Sequence, residues 1–260
     1  MEGRFQFLGT GSSLGVPMIG CECSVCLSSD LKDKRKRSSS LIKLDGKTFL
    51  LDVGPDYREL ALKYKINFLD GCILTHSHYD HVGGFDDLRV YSYQGKKLPC
   101  LMLAQTFQEL KANYPYLLEP TEKGGLSSSF FSWQTVDSAF GSTVFEGLFL
   151  EYVTFLQKGM EVMGLKIGNL AYISDIKEYD AKLIESLQGI DILIVSALRK
   201  TKSLMHFSIE EALAFASLIQ PKQVYLTHIA HEIAHETVLG ELPKGVSLAY
   251  DGLEIAFQIL

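Results

Sequence analysis

Short apolar runs separated by polar turns dominate the hydrophobic pattern of the chain. Runs of this length are typical of buried β-strands. Asp45-Gly46, between two of them, predicts a tight hairpin. The predicted strands are Phe5–Leu8, Leu41–Leu44, Thr48–Val53, Cys72–Thr75, Leu98–Leu103, Leu148–Phe155, Met160–Ile167, Leu170–Ile173, Asp191–Ser196, Val224–Thr227 and Leu253–Ile259.

Segments with apolar residues at helical spacing lie between these strands. The predicted helices are Asp56–Lys65, Thr106–Asn113, Glu178–Leu187 and Ser208–Leu218. The last begins with Ser208 and Glu211, the residue pair of a capping box. Glu119–Thr135, rich in Pro, Gly and Ser, predicts a loop. Mixed strands and helices without a long linker predict one α/β domain over residues 1–260, with two sheets.

Composition and charge narrow the possible functions. The chain has 260 residues, 47% of them hydrophobic, which is enough for a substantial core. Its net charge of −6 disfavours a large phosphate-backbone interface, so we expect no nucleic-acid partner. No apolar run reaches the length of a membrane span, and no signal-peptide pattern opens the chain. We therefore expect a cytoplasmic protein. The basic run Lys32–Arg37 predicts a solvated loop or, alternatively, a surface that attracts an anionic substrate.

A cluster of histidines directly follows a predicted buried strand. The sequence THSHYDH places His76, His78, Asp80 and His81 within six positions. Protonated imidazoles so close together would repel one another, whereas neutral imidazoles and a carboxylate are good ligands for a divalent ion such as zinc. This segment predicts a metal site.

The five cysteines form one tight cluster and two isolated positions. An odd number of cysteines with one tight cluster is more typical of a metal site in a reducing compartment than of a disulfide framework. Unpaired thiols in a loop are the alternative. Cys72 and Cys100 lie in apolar runs and are expected to be buried. The clustered thiols are Cys21, Cys23 and Cys26.

THSHYDHVGG resembles the His-x-His-x-Asp-His signature of the metallo-β-lactamase superfamily. Further matches are Leu50–Gly54, Tyr172–Asp175 and Thr227-His228. The N-terminal Gly9–Ser13 with the cysteine cluster is similar to a narrower branch, which includes the phosphoribosyl cyclic phosphate phosphodiesterase of phosphonate degradation. The resemblance implies a four-layer αβ/βα sandwich with two mixed sheets and a metal site at the strand ends.

The resemblance also implies a set of site residues. His76 and His78 would bind one metal, and Asp80, His81 and His228 the second, with Asp175 bridging the two. Asp52 would orient a ligand histidine through a hydrogen bond. Cys21, Cys23, Cys26 and His231 would hold a separate structural zinc. His206 would contact phosphate or protonate the leaving group; its alternative is a surface histidine near a helix start.

One position departs from the family pattern. The family places a third histidine ligand of the first metal near residues 155–160, where this chain has Gln157. An amide oxygen should bind zinc more weakly than imidazole does, whereas manganese would tolerate it better. The active site is therefore expected to hold one or two divalent metals, zinc or manganese.

The implied activity is that of a metal-dependent hydrolase, a phosphodiesterase whose hydroxide, generated at the metals, attacks a small or cyclic phosphodiester. Asp80 and His206 would be its catalytic residues. The alternative is a non-hydrolytic binding or accessory protein with the same fold. Transfer-RNA 3′-end processing and thioester or lactam hydrolysis are further options, and the branch implies a homodimer.

A second motif, HEIAH from His231 to His235, matches a metallopeptidase signature, with Glu254 as a possible third ligand. That motif needs both histidines on a long helix, but Gly240 and Pro243 interrupt the segment soon after. We therefore expect His231 to join the cysteines and His235 to be an ordinary surface residue.

Overall fold

Two β-sheets form the centre of the molecule. The computed structural model describes residues 1–92, 96–118 and 130–259. Within them, one seven-stranded sheet has the order β14-β1-β2-β3-β4-β5-β6 and a second has the order β13-β12-β11-β10-β9-β8-β7. Both contain parallel and antiparallel neighbours, which confirms the predicted pair of mixed sheets.

The strands are β1 Glu2–Gly9, β2 Ser39–Leu44, β3 Lys47–Val53, β4 Gly71–Ile73, β5 Leu98–Leu103, β6 Phe131–Val136, β7 Phe140–Phe145, β8 Leu148–Gln157, β9 Met160–Ile167, β10 Leu170–Ile173, β11 Ile192–Ser196, β12 Gln223–Thr227, β13 Val246–Leu248 and β14 Glu254–Gln258. The α-helices are α1 Tyr57–Lys63, α2 Tyr79–Val82, α3 Ala104–Asn113, α4 Pro115–Leu118, α5 Ala181–Ser186, α6 Ile209–Ile219 and α7 His235–Leu239. Leu31–Asp33 and Phe85–Ser92 are 3₁₀ helices.

Three apolar clusters produce the four layers. One cluster joins the inner faces of the two sheets, with Phe5 and Phe49 from the first and Leu165 and Ile194 from the second. A second cluster packs α1 and α3 on the outer face of the first sheet. A third packs α5 and α6 on the outer face of the second. The layers therefore run helix, sheet, sheet, helix, as the resemblance implied.

Local sequence signals set several element ends. Asp45 and Gly46 both have positive φ angles, 52° and 75°, in the two-residue turn that joins β2 to β3. At the start of α6, Glu211 N donates to Ser208 Oγ (3.3 Å) and Ser208 N donates to Glu211 Oε2 (2.8 Å). The predicted hairpin and capping box are both confirmed.

Two sequence predictions are corrected. The loop predicted over Glu119–Thr135 is wrong for its last part, because residues 131–135 belong to β6, which pairs in parallel with β5. Residues 119–129 lie outside the described residues. The predicted solvated loop Lys32–Arg37 is wrong for Asp33 and Arg35, which are buried. Among the described residues, no helix has the length and apolar character needed to cross a membrane.

Candidate functional site

The site lies where strands of both sheets end. Parallel neighbours β3 and β4 in one sheet, and β10, β11 and β12 in the other, bring their carboxyl ends to a common edge. The chain continues from β4 into the THSHYDH segment, from β10 to Asp175 and from β12 to His228. A hydrogen bond from Met163 N to Thr75 O (2.9 Å) joins the two sheets there. The segments that follow β4, β10 and β12 therefore bring together residues that are far apart in sequence.

Four buried side chains form the tighter group, with ligand atoms all within 4.8 Å of one another. His228 Nε2 lies 3.2 Å from Asp80 Oδ2 and 3.3 Å from Asp175 Oδ1. His81 Nε2 lies 3.3 Å from Asp175 Oδ2 and 3.5 Å from Asp80 Oδ2. Ligands about 2.1 Å from a tetrahedral ion are separated by about 3.4 Å, so these spacings suit a single ion.

The pKa shifts and the unpartnered nitrogen of this group also favour a bound cation. Burial alone would raise the pKa of Asp175, but His228 and His81 hold it well below its usual range. Burial opposes the charged form of His81, yet the carboxylates of Asp175, Asp52 and Asp80 raise its pKa well above its usual value. The buried His81 Nε2 has no hydrogen-bond partner. A positive charge among these donors would satisfy both carboxylates and this nitrogen.

A second group shares Asp175 with the first. His76 Nε2 lies 3.2 Å from His78 Nδ1 and 3.6 Å from Asp175 Oδ2. His76 is buried, whereas His78 is half-buried. The structure thus brings together the two ligand sets implied by the resemblance, with Asp175 between them; their roles as metal ligands stay predictions.

Asp52, in β3, contacts the first group through His81. Its carboxylate accepts hydrogen bonds from Thr75 N (2.8 Å) and Thr75 Oγ1 (2.9 Å) and lies 2.7 Å from His81 Nδ1. A His81 ring that donates from Nδ1 turns the lone pair of Nε2 toward the carboxylates. The predicted orienting role has the geometry it needs.

Gln157 ends β8 beside Asp175 and is 2% exposed. Its amide nitrogen Nε2 lies 3.2 Å from Asp175 Oδ2, and its buried Oε1 has no hydrogen-bond partner. His206 touches the same nitrogen at 3.2 Å and stacks on His228 with ring centroids 4.6 Å apart. Burial, with a smaller effect of His228, lowers the pKa of His206 to about 4. His206 therefore packs against the site as a neutral ring, and the surface alternative is wrong.

The cysteine cluster forms a separate group. His231 Nδ1 lies 3.3 Å from Cys21 Sγ and 3.5 Å from Cys23 Sγ, and all four donors lie within 4.8 Å of one another. A hydrogen bond from the backbone of Cys26, with another from His231, lowers the pKa of Cys23 to about 6. Three thiols and an imidazole are a common tetrahedral zinc set, and the structure contains no disulfide among them.

The peptidase pattern does not assemble. His231 faces the cysteines, while Glu254 lies in β14 and pairs with Lys43 at 3.2 Å. The expectation that His235 is a surface residue is wrong: it is 2% exposed. Its ring Nδ1 lies 3.2 Å from Arg35 Nη2 because the segment after His231 folds back over the basic run.

Sequence reasoning missed the buried polar network around Arg35. Arg35 Nη1 donates to Thr10 Oγ1 (2.8 Å) and to Ala249 O (2.6 Å). Asp251 accepts hydrogen bonds from Thr10 N and Lys36 N. No local signal could have found it, since its members come from opposite ends of the chain.

Comparison with known proteins identifies the family to which the chain belongs. Residues 47–229 match the beta-lactamase superfamily domain, so the chain belongs to the metallo-β-lactamase superfamily. Within it, the chain falls in the PhnP-like branch. Members of the superfamily are mostly hydrolases, and the fold implies divalent metals that the His/Asp donors fit.

Two solved structures and one curated relative illustrate the likeness. A crystal structure described as a new diphosphatase from the PhnP family matches with a TM-score of 0.90 and 33% identity, over 100% of this chain and 98% of that chain. Zinc-bound PqqB from Methylobacterium extorquens matches with a TM-score of 0.79 over 97% of this chain and 99% of that one; at 20% identity this shows the fold alone. A Porphyromonas gingivalis (strain ATCC BAA-308 / W83) protein named octanoyltransferase is 34% identical over 254 residues, 96% of this chain. The chain spans about half of that relative, 51% of its length.

Proposed function

We propose that the chain is a metal-dependent phosphodiesterase acting on a small or cyclic phosphodiester. The observation that carries the proposal is the pair of His/Asp groups that share Asp175 at the strand ends. The likeness to a structure described as a diphosphatase supports phosphorus chemistry in the same branch.

Divalent ions, zinc or manganese, held by the two groups would neutralise phosphoryl charge and lower the pKa of bound water. Asp52 holds His81 in the required tautomer through the 2.7 Å contact at Nδ1. Asp80 is 7% exposed, more than the other three donors of its group. The neutral His206 offers a ring N–H as a hydrogen-bond donor to a phosphoryl or leaving-group oxygen.

We also propose that Cys21, Cys23, Cys26 and His231 hold a structural zinc. A Cys₃His set is typical of structural rather than catalytic zinc sites. This ion would fix the N-terminal cysteine loop to the segment that follows the strand end carrying His228. It takes no part in the reaction.

Turnover of bis-p-nitrophenyl phosphate, measured with added Mn²⁺ or Zn²⁺, tests the proposed activity. We expect Asp80→Ala to lower the rate at least roughly 100-fold, because it removes a donor of the tighter group. Asp86→Ala, in the 3₁₀ helix Phe85–Ser92, is the matched control and should keep the rate. No metal-dependent turnover by the wild-type protein would favour the accessory-protein alternative.

Acyl-group hydrolysis is a second candidate, favoured by the relative named octanoyltransferase. A site that stabilises charge on a phosphoryl oxygen can also stabilise charge on the oxygen of a thioester carbonyl. Release of octanoate from S-octanoyl-N-acetylcysteamine, followed by chromatography, distinguishes the two. Octanoate release that exceeds phosphodiester turnover and disappears in Asp80→Ala would replace the phosphodiesterase proposal.

A further inference from the structure

The two metal-ligand groups differ in the number and burial of their donors. Asp80, His81, Asp175 and His228 supply four donors, all buried. The other group has three, and its His78 is half-buried. The second group therefore has one protein donor fewer than the first and leaves a position open.

Gln157 lies beside Asp175, the carboxylate that the two groups share, and is a candidate for a fourth donor of the second group. Its terminal nitrogen lies 3.2 Å from Asp175 Oδ2, a spacing close to that between two ligands of one ion. The side chain is 2% exposed, so solvent does not fill this corner of the site.

The atom that faces Asp175 cannot bind a cation. An amide nitrogen carries two hydrogens and acts as a donor only. Turning the amide by half a rotation would place its oxygen against a carboxylate oxygen, which repels it unless a cation lies between them. The nitrogen is also within 3.2 Å of the His206 ring nitrogens, one of which can accept a hydrogen bond from it. Two acceptors thus favour this orientation, in which the buried Oε1 has no hydrogen-bond partner.

We propose that Gln157 is a positioning residue that donates a hydrogen bond to Asp175 and leaves the His76–His78–Asp175 group as a weak, exchangeable ion site. The four-donor group fills first and keeps its ion, while the three-donor group fills only when free divalent metal is abundant. Activity would then follow the concentration of free metal. This inference rests on the proposed metal centre and extends it to regulation.

Equilibrium dialysis against Mn²⁺ and, separately, Zn²⁺, with metal content read by mass spectrometry, tests the inference without any substrate. We expect the wild-type protein to retain about two ions per chain, zinc in the cysteine group and one ion in the four-donor group, and to bind a further ion at least about tenfold more weakly. Gln157→His supplies an imidazole beside Asp175 and should tighten that further ion by at least about tenfold.

Two variants serve as controls. Gln108→His adds an imidazole to the exposed face of α3 and should leave the weak ion unchanged. Gln157→Ala removes the hydrogen bond to Asp175, a donor that both groups share, so the ions of both groups should weaken by a similar factor. A circular dichroism melt checks that each variant folds.

Three equally tight ions in the wild-type protein would overturn the inference. So would a Gln157→Ala variant in which the third ion alone binds about tenfold more weakly than in the wild type, because the amide oxygen would then be a ligand. An unchanged third ion in a folded Gln157→His variant would overturn it as well. Dialysis measures metal binding without turnover, so its results can be interpreted even if the protein has no phosphodiesterase activity.

Discussion

Three residues of the site hold left-handed backbone angles. Asp52, Asp175 and His228 have φ of 58°, 63° and 60°. For residues other than glycine this conformation costs about 1–3 kcal/mol each and persists only where the surroundings impose it. Each of the three is at or just beyond a strand end and turns a functional side chain into the common cluster. Left-handed backbone is not confined to the site, since five other non-glycine residues of the described chain also have positive φ.

Asp52→Asn isolates the orienting role of the Asp52 carboxylate. Asparagine tolerates the left-handed angle well, so the backbone should not shift. Its amide nitrogen cannot accept from His81 Nδ1, so the ring loses its fixed orientation. We expect a loss of about 10–100-fold in metal affinity at the four-donor group, measured by competition with a chelator.

Asp70→Asn is the control for this prediction. Asp70 Oδ2 accepts a hydrogen bond from Thr48 N (2.7 Å) away from the site. The same chemical change there should leave metal affinity unaltered. Equal losses in the two variants would mean that Asp52 acts through general stability rather than through His81.

At the scale of elements, the sequence predicted eleven strands, and the missed ones share a position. The missed strands β6, β7 and β13 all lie at outer edges of the two sheets. Edge strands are short or partly polar, which weakens the alternating signal. β13 has three residues, and β7 contains Gly141 and alternates between half-buried and exposed positions over most of its length. Central strands such as β11, buried at every position, were predictable because both faces are covered.

The capping box of α6 should contribute measurably to stability. Ser208→Ala removes the hydroxyl that accepts from Glu211 N and leaves that donor unpaired. We expect a loss of about 1 kcal/mol in the free energy of unfolding, measured in urea with an unchanged slope.

Ser217→Ala makes the same change on the exposed face of the last turn of α6, where the hydroxyl donates to Ala214 O. It should alter the unfolding free energy by less than about 0.5 kcal/mol. If the two variants lost equal stability, the cap would have no special role.

On the scale of the whole molecule, hydrogen bonds join the N-terminal segment that contains Thr10 and Asp33 to the segment that follows His228. Thr10 O accepts from Ile229 N, next to His228, and Asp33 accepts from His235 N. The histidine motif was predictable because its residues are contiguous in sequence. The buried state of His235 was not, because its partners Asp33 and Arg35 lie 202 and 200 positions away.

Arg35 is central to this long-range network. Its side chain is among the largest fully buried ones, and burial lowers its pKa to about 10, so it stays charged at neutral pH. Arg35→Met keeps much of the volume but removes the donors to Thr10 Oγ1 and Ala249 O. It also removes the positive charge near Asp251 and Asp33. We expect a loss of about 3 kcal/mol in the free energy of unfolding, measured in urea.

Arg89→Met provides the comparison, since Arg89 pairs with Asp86 at the surface, with its side chain 37% exposed. Removing that exposed pair should cost at most about 1 kcal/mol. A loss of similar size in both variants would show that Arg35 contributes no more than a surface ion pair. A larger loss for Arg35→Met, with metal content unchanged, would show that the network stabilises the junction of the chain ends independently of the metal centre.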